Sequence, residues 1–218
     1  MKKRFIIGIL LLVLLSTYKP EKLVLETKFN IKEIIIENNY ILEDREIKKN
    51  LLKLYGKNLF FLNIDNIKDD LIKLEFIESY EVRKIYPNKL RIKIFEKNPI
   101  AILEYKKEKF FYTKKGELID YKDLENFKNL PIVDGNRENF KILYNNLKKI
   151  NFSIKQIKKF YYFESNRWDL LTLKDKTVKL PIKNYTKSLE NFSNLINDNN
   201  FDKYTIFDYR IDNQLILK

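Results

Sequence analysis

The chain of 218 residues contains no cysteine and no histidine. Without cysteine it has no disulfide, no thiol nucleophile and no thiolate metal site. Without histidine it lacks the usual general base near neutral pH and the commonest metal ligand. It has only four glycines, none of them in a phosphate-binding loop pattern. These absences exclude most familiar catalytic and metal sites, so the sequence predicts no enzyme and no cofactor.

Positive charge is in excess, with 43 lysines and arginines against 30 acidic residues and a formal net charge of +13. Such an excess could serve nucleic-acid binding, because clustered cations release counterions from a phosphate backbone. Here lysine is scattered through every segment, and no basic block interleaved with aromatic residues forms a recognisable binding motif. We therefore predict no nucleic-acid partner, although a positive field favours anionic lipid headgroups or acidic partners.

The amino terminus has the pattern of a signal anchor. A tail of residues 1–4 precedes an uncharged apolar segment, residues 5–18, and positive flanks stay on the cytoplasmic side. The flanking residues that would fix this orientation are Lys2, Lys3 and Arg4 on the inside and Tyr18 at the far interface. The pattern predicts a single transmembrane helix, with everything after Lys19 outside the cytoplasm.

A cleaved signal peptide is the alternative for this apolar segment. At ~1.5 Å per residue the helix would span roughly 20 Å, whereas the hydrocarbon core is about 30 Å thick. Apolar regions of signal peptides have about this length. The exit, Ser16-Thr17-Tyr18-Lys19-Pro20, contains no small-x-small cleavage site, and we therefore favour the uncleaved anchor.

After a charged linker over residues 19–28, residues 29–97 show the order strand, helix, helix, strand, strand. The first helical pattern ends at Gly56, where a left-handed residue would close it, and the second begins from a predicted N-cap at Asp65. The last strand has the alternation of a half-buried strand. Its inward positions are Leu90, Ile92 and Ile94. Two helices on one face of a three-stranded sheet satisfy this order.

Residues 98–218 are rich in short strands and contain two amphipathic helices, predicted over 137–149 and 185–197. Their inward residues are predicted to be Phe140, Leu143, Tyr144, Leu147, Tyr185, Leu189, Phe192 and Ile196. Trp168, the single tryptophan, is predicted to be a packing residue rather than a binding one.

The last segment predicts a strand over 205–210, a turn over 211–213 and a short returning strand over 214–217. A terminal strand that pairs on one side only leaves free backbone donors and acceptors, which is a liability unless a partner covers them. Before the terminal Lys218 this strand carries no charge. A partner strand that adds to this edge is therefore a reasonable hypothesis.

Four motifs follow one another through the first half of the chain: Gly56-Lys57-Asn58-Leu59-Phe60, Phe76-Ile77-Glu78-Ser79-Tyr80-Glu81-Val82-Arg83-Lys84-Ile85-Tyr86-Pro87, Leu90-Arg91-Ile92-Lys93-Ile94 and Glu96-Lys97-Asn98-Pro99-Ile100-Ala101. In this order and at this spacing they resemble a POTRA domain of the FtsQ/DivIB family of bacterial cell-division proteins. Further motifs of the second half resemble the family's β-domain: Leu130-Pro131-Ile132-Val133-Asp134-Gly135, Arg167-Trp168-Asp169-Leu170 and Phe207-Asp208-Tyr209-Arg210-Ile211-Asp212. The resemblance implies an α+β fold: an anchor helix, a POTRA-like β-α-α-β-β domain over 29–97, and a mostly antiparallel β-domain with two covering helices over 98–218.

The resemblance also implies a function. Members of this family are inner-membrane scaffolds whose periplasmic β-domain receives a segment of the partner FtsB, itself paired with FtsL, by strand addition. The contact residues carried over to this chain are Arg210, Ile211, Asn213, Gln214, Leu215, Ile216 and Leu217. Through this pair the scaffold would connect to septal wall synthases in the divisome. A homodimer stays an open alternative.

Three other functions compete with this hypothesis. A POTRA module of an outer-membrane assembly or secretion machine usually occurs in tandem copies ahead of a barrel, and the chain contains neither. An enzyme would need two carboxylates brought together, and no motif does so for residues such as Asp65, Glu96 and Asp208. A cationic protein that binds the cell wall or nucleic acid would lose binding steeply with salt.

Overall fold

The computed structural model describes residues 2–17 and 28–218, and the chain divides into two compact units, Met1–Glu96 and Lys97–Lys218. The first element is helix α1, Lys2–Thr17, which contains the predicted inner flank. Tyr18 and nearly all of the predicted linker lie outside the described residues. In the described part of the chain, no helix combines the length and the apolar character needed to cross a membrane.

The rest of the first unit is a three-stranded sheet with helices. Its elements are β1 (Glu33–Glu37), α2 (Asp44–Asn50), a 3-10 turn (Leu52–Leu54), α3 (Asp65–Leu71), β2 (Ile77–Ile85) and β3 (Lys89–Glu96). The strand order is β1-β3-β2, in which β1 runs parallel and β2 antiparallel to the central β3. The predicted order of strand, helix, helix, strand, strand is confirmed.

Burial in this unit follows the predicted alternation along β3. Leu90, Ile92 and Ile94 are fully buried, and Gly56 adopts the left-handed conformation at φ 78°. The N-cap prediction was wrong by one residue, because Ile64 is the cap and Asp65 is the first residue of α3. The backbone N–H of Asp65 donates instead to Oδ1 of Asn63, at 2.9 Å.

Glu96, the last residue of β3, closes the loop between β1 and α2. Its carboxylate accepts the backbone N–H groups of Tyr40, Ile41 and Leu42, each at 2.8 Å. Three donors aimed at one ionised group form a strong set of charge-assisted hydrogen bonds. This side chain therefore holds the loop between β1 and α2 against the carboxyl end of β3.

The second unit is built on a nine-stranded mixed sheet. Its elements are β4 (Pro99–Tyr105), β5 (Glu108–Thr113), β6 (Leu118–Asp120), β7 (Ile132–Asp134), α4 (Arg137–Lys149), β8 (Ile157–Phe163), β9 (Arg167–Thr172), β10 (Thr177–Lys179), α5 (Tyr185–Leu195), β11 (Ile206–Asp208) and β12 (Ile216–Leu217). The strand order is β12-β11-β10-β9-β8-β7-β4-β5-β6. Neighbours are antiparallel except β10–β11, β7–β8 and β4–β7, which are parallel.

The core of this unit lies between the sheet and its two longest helices. Buried residues in register across six strands form one row of this core: Leu103, Val133, Phe160, Leu170, Val178 and Phe207. Phe140 of α4 packs edge-on against Phe160, and Phe192 of α5 packs edge-on against Phe207. Trp168 is 5% exposed within the same cluster, which confirms its predicted packing role. The predicted α+β fold is confirmed.

Candidate partner-binding edge

Strand β12 forms one end of the nine-stranded sheet and pairs with β11 alone among the residues that the structure describes. Ile206 and Lys218 exchange two backbone hydrogen bonds, at 3.0 and 3.1 Å. In an antiparallel ladder such pairs alternate with pairs that are not hydrogen-bonded to each other. Leu217, the next residue, pairs with Phe207. The N–H and C=O of Leu217 therefore point to the free side of the strand.

Side chains of β12 point alternately to the two faces of the sheet. Leu215 and Leu217 are half-buried and pack against the core, whereas Ile216 is 38% exposed. An incoming strand at this edge would cover the open flank of the two leucines while its backbone met that of Leu217. The edge thus offers the outward N–H and C=O of Leu217 and a strip of apolar surface.

The terminal strands are shorter than the sequence predicts. The β11 strand ends at Asp208 rather than 210, and β12 begins at Ile216 rather than 214. The reason is the turn between them, in which the N–H of Gln214 donates to the carbonyl of Ile211 at 3.2 Å. Asn213 takes a left-handed conformation, φ 58°, which asparagine tolerates better than most residues.

Arg210 is held by Asp208, two residues earlier in the chain. Its Nε lies 2.9 Å from Oδ1 and its Nη2 lies 2.6 Å from Oδ2 of Asp208. These hydrogen bonds lower the pKa of the Asp208 carboxyl below its usual range and raise the pKa of Arg210. Arg210 was predicted as a contact residue, and its guanidinium already has this partner, so it orients the chain as it leaves β11.

Asp208 belongs to a charged row on the sheet face opposite the helices. It lies beside Lys179 of β10, which in turn lies beside Asp169 of β9. Burial raises the pKa of Asp169, and Arg167, whose Nε is 3.2 Å from Oδ1, partly offsets that rise. The two carboxyls on either side of Lys179 therefore differ in how readily they ionise.

Lys176 supports the edge from inside the unit, and sequence reasoning did not find it. It is 5% exposed, and its ammonium donates to the carbonyls of Phe201, Asp202 and Tyr204 at 3.1, 3.1 and 2.9 Å. These carbonyls belong to the segment that leads into β11. A lysine beside Asp175 in a turn has the sequence pattern of an exposed residue, so nothing in the sequence marks its role.

Tyr209, the residue after β11, attaches the chain to helix α5. Its phenol is 7% exposed and donates to Oδ1 of Asn191 in α5, at 2.8 Å. Burial raises the pKa of this phenol far above its usual value, so it stays a hydrogen-bond donor at any physiological pH.

All seven predicted contact residues therefore lie in one continuous stretch at the sheet edge. Arg210, Ile211 and Asn213 belong to the turn region, and Gln214 to Leu217 lead into and form β12. Ile211 is 52% exposed. In the described part of the chain, no group of three or more acidic side chains has an arrangement that could hold a metal ion.

Comparison with known proteins adds the family. A model of the FtsQ-type POTRA domain matches residues 29–97, and a model of the C-terminal domain of cell division protein FtsQ/DivIB matches residues 101–210. "Cell division protein FtsQ" of Rickettsia bellii is 30% identical over 167 residues, which cover 76% of this chain and 62% of that protein. This chain thus spans less than two thirds of that relative's length.

Two further relatives match different shares of the chain. "Cell division protein FtsQ" of Rickettsia conorii is 27% identical over 87% of this chain and 72% of its own length. "Cell division protein DivIB" of Clostridium acetobutylicum is 29% identical over 49% of this chain and 43% of its own length. Because the FtsQ/DivIB domain model alone matches half of the sequence, residues 101–210, the chain belongs to the FtsQ/DivIB family of bacterial cell-division proteins.

Proposed function

We propose that this chain is a non-catalytic division scaffold that captures an extended segment of an FtsB-type partner, paired with an FtsL-type protein, by strand addition to β12. The observation that carries the proposal is the one-sided pairing of β12 at the end of the nine-stranded sheet. An added strand gains affinity from backbone hydrogen bonds and specificity from alternate side chains. The backbone of Leu217 would supply the hydrogen bonds, and the half-buried side chains of Leu215 and Leu217 would supply the specificity.

The proposal includes attachment to the inner membrane through α1, with residues 29–218 in the periplasm. Every large apolar side chain described in α1 is more than half exposed, from 52% for Ile9 and Val13 to 71% for Leu15. A helix with apolar side chains on all sides has no polar face that could be exposed to water. A bilayer that thins locally can accommodate an apolar helix shorter than its usual thickness.

The role of the scaffold would be positional. Bound at the septum, it would hold the FtsB/FtsL-type pair near the membrane, and this pair would link it to septal peptidoglycan synthesis. No covalent step is assigned to any of its side chains.

The test uses the direction in which the Leu217 N–H points. A Leu217→Pro variant removes a donor that faces the free side and leaves the hydrogen bonds between Lys218 and Ile206 in place. A matched Leu217→Ala variant loses the side chain but keeps the N–H. Affinity of the full chain for the periplasmic domains of the same organism's FtsB and FtsL candidates is measured for both variants.

We expect proline to weaken capture by at least about tenfold, equivalent to ~1.4 kcal/mol, and alanine to weaken it much less. Equal affinity of the proline variant and the parent chain would place the contact elsewhere. No binding by the parent chain would overturn the partner assignment itself.

A further inference from the structure

A cluster of aromatic rings lies exposed at one end of the first unit. The ring centroid of Phe60 is 4.7 Å from that of Phe29 and 4.7 Å from that of Tyr86. Phe60 is 53% exposed, Tyr86 is 50% exposed, and the neighbouring Phe61 is 88% exposed. We call these four residues the aromatic patch. A water-facing group of this kind marks an interaction site more often than a single exposed ring does.

The loop that carries Phe60 and Phe61 is firmly held. The N–H of Phe60 donates to Oδ1 of Asn58 at 2.9 Å, and the N–H of Leu59 donates to the carbonyl of Phe29 at 2.9 Å. The ammonium of Lys84 donates to the carbonyls of Phe60 and Leu62, at 3.3 and 2.8 Å. The exposure of Phe61 is therefore built into the fold.

The sequence segments that carry the patch contain positive charges only. Three segments carry the patch and its surroundings, residues 28–32, 55–64 and 84–89, and they contain no aspartate or glutamate. Their lysines are Lys28, Lys32, Lys57, Lys84 and Lys89. Glu33 pairs with Lys89 at 2.6 Å, which leaves four further lysines in the three segments. Aromatic rings flanked by lysines are typical of surfaces that lie at an anionic membrane interface.

The patch is also tethered close to α1. Ten residues separate Thr17 from Lys28, and even a fully extended connection of this length reaches at most about 40 Å. Those ten residues carry two lysines and two glutamates, so they add no net charge of their own. If α1 is in a bilayer, the patch lies within this distance of the headgroups.

We propose that the aromatic patch docks on the headgroup layer of an anionic phospholipid bilayer, so that the first unit lies against the membrane. Tyr86 and the phenylalanines would enter the interface, and the exposed Lys28, Lys32 and Lys57 would meet lipid phosphates, while Lys84 keeps its contacts with the loop. The inference rests on the proposed attachment by α1 for the location of the patch. The three segments offer cations only, and the short connection to the proposed anchor favours lipid phosphates over an acidic protein as their partner.

The test exploits the absence of native cysteine. The full chain is placed in nanodiscs of phosphatidylglycerol and phosphatidylcholine with one nitroxide label at Phe61→Cys, Leu10→Cys or Tyr40→Cys. Tyr40 is 79% exposed and its N–H bonds to Glu96, at the opposite end of β3 from the patch, roughly 25 Å away along the strand. The ratio of oxygen to water-soluble nickel accessibility reports the depth of each label.

We expect the Phe61 label to have a ratio several-fold above that of the Tyr40 label. Lys57→Gln in the Phe61→Cys background should shift the ratio of docked to free states roughly fivefold towards free, while the charge-conserving Lys57→Arg should not. The Leu10 label tests α1 separately from the patch.

Each outcome decides something. A Phe61 label as accessible to nickel as the Tyr40 label overturns the docking inference, whatever the Leu10 label shows. A Leu10 label that is itself open to nickel contradicts the proposed membrane attachment. Protection of Phe61 that appears only when a division protein is added would make the patch a protein-binding surface and overturn the lipid assignment. Native chain without substitutions, compared by hydrogen exchange over residues 57–64 in anionic and zwitterionic nanodiscs, gives a second reading of the same contact.

Discussion

Asp208 and Asp169, in register with Lys179 on either side, have pKa values shifted in opposite directions. Hydrogen bonds from Arg210 lower the pKa of Asp208, whereas burial raises the pKa of Asp169. A lowered pKa adds stability above the unfolded value, near 3.9, and that stability is lost as the pH falls through the folded value. A raised pKa has the opposite sign, because the ionised form then costs stability as the pH rises.

We therefore expect Asp208→Asn to lower the free energy of unfolding of the second unit at pH 7, with the deficit narrowing as the pH falls below about 4. For Asp169→Asn, the free energy of unfolding relative to that of the parent chain should increase as the pH rises from 3 to 7. Trp168 is the single tryptophan and lies in this core, so its fluorescence in urea reports the unfolding. A deficit of Asp208→Asn that is equal at pH 3 and pH 7 would contradict the assignment.

At the scale of elements, the segment before β11 depends on one buried cation. Lys176 immediately precedes β10, and its ammonium binds three backbone carbonyls in residues 201–204. The first of these carbonyls belongs to a 3-10 turn, Asn199–Phe201. Removing the ammonium of Lys176 would leave those partly buried carbonyls without that donor, and an acceptor buried without a partner costs at most about 1–3 kcal/mol. The position of β11, and with it the edge at β12, depends on this contact.

Lys176→Met is expected to destabilise the second unit by about 1–2 kcal/mol and to speed hydrogen exchange over residues 199–206. The methionine keeps most of the apolar length of the lysine, so the loss reports the ammonium. Lys174→Met, an exposed position two residues away, is the matched control and should change neither quantity. Equal exchange rates in both variants would mean that the carbonyl contacts do not hold the segment.

How far the elements could be predicted depends on how local their determinants are. The bounds of α4 agree with the prediction, because Phe140, Leu143 and Leu147 repeat at helical spacing and Asn136 caps the helix through its side chain. In contrast, β7 was not predicted as a strand. It has three residues and forms parallel pairs with β4 and β8. The sequence therefore shows neither an alternation of apolar and polar residues nor a hairpin turn that would indicate this strand.

The same limit applies to Gly135, which follows β7. A Cβ at this position would lie 2.9 Å from Cβ of Tyr162 and 3.4 Å from the ring of Trp168. The residue is glycine because two strands and a tryptophan meet there, and those contacts come from distant parts of the sequence. At the candidate edge, likewise, the seven contact positions follow from the resemblance and stay a prediction, whereas the Arg210–Asp208 pair and the role of Lys176 were not predicted.

At the scale of the whole molecule, the net charge of +13 acts against pairing between two copies. An open sheet edge can pair with the same edge of another copy, while like charge repels the two molecules. Salt weakens that repulsion, because the Debye length falls from about 30 Å at 0.01 M to about 8 Å at 0.15 M.

Self-association of the full chain in detergent should accordingly increase with ionic strength over this range. Leu217→Pro should suppress the increase, and Leu217→Ala should not, because only proline removes the outward N–H of the edge. Sedimentation velocity at both salt concentrations makes the comparison. If the Leu217→Pro variant associates as strongly as the parent chain, the association occurs through another surface.

The parallel pairing of β1 and β3 has a mechanical consequence. The chain enters the small sheet through β1 and leaves it at Glu96, the end of β3. Tension along the chain therefore pulls two adjacent parallel strands in opposite directions, along their length. Their evenly spaced backbone hydrogen bonds, together with the ion pair between Glu37 and Arg91 at 3.1 Å, resist such shear together instead of opening one after another. Residues 33–96 would therefore transmit a pulling force without unfolding.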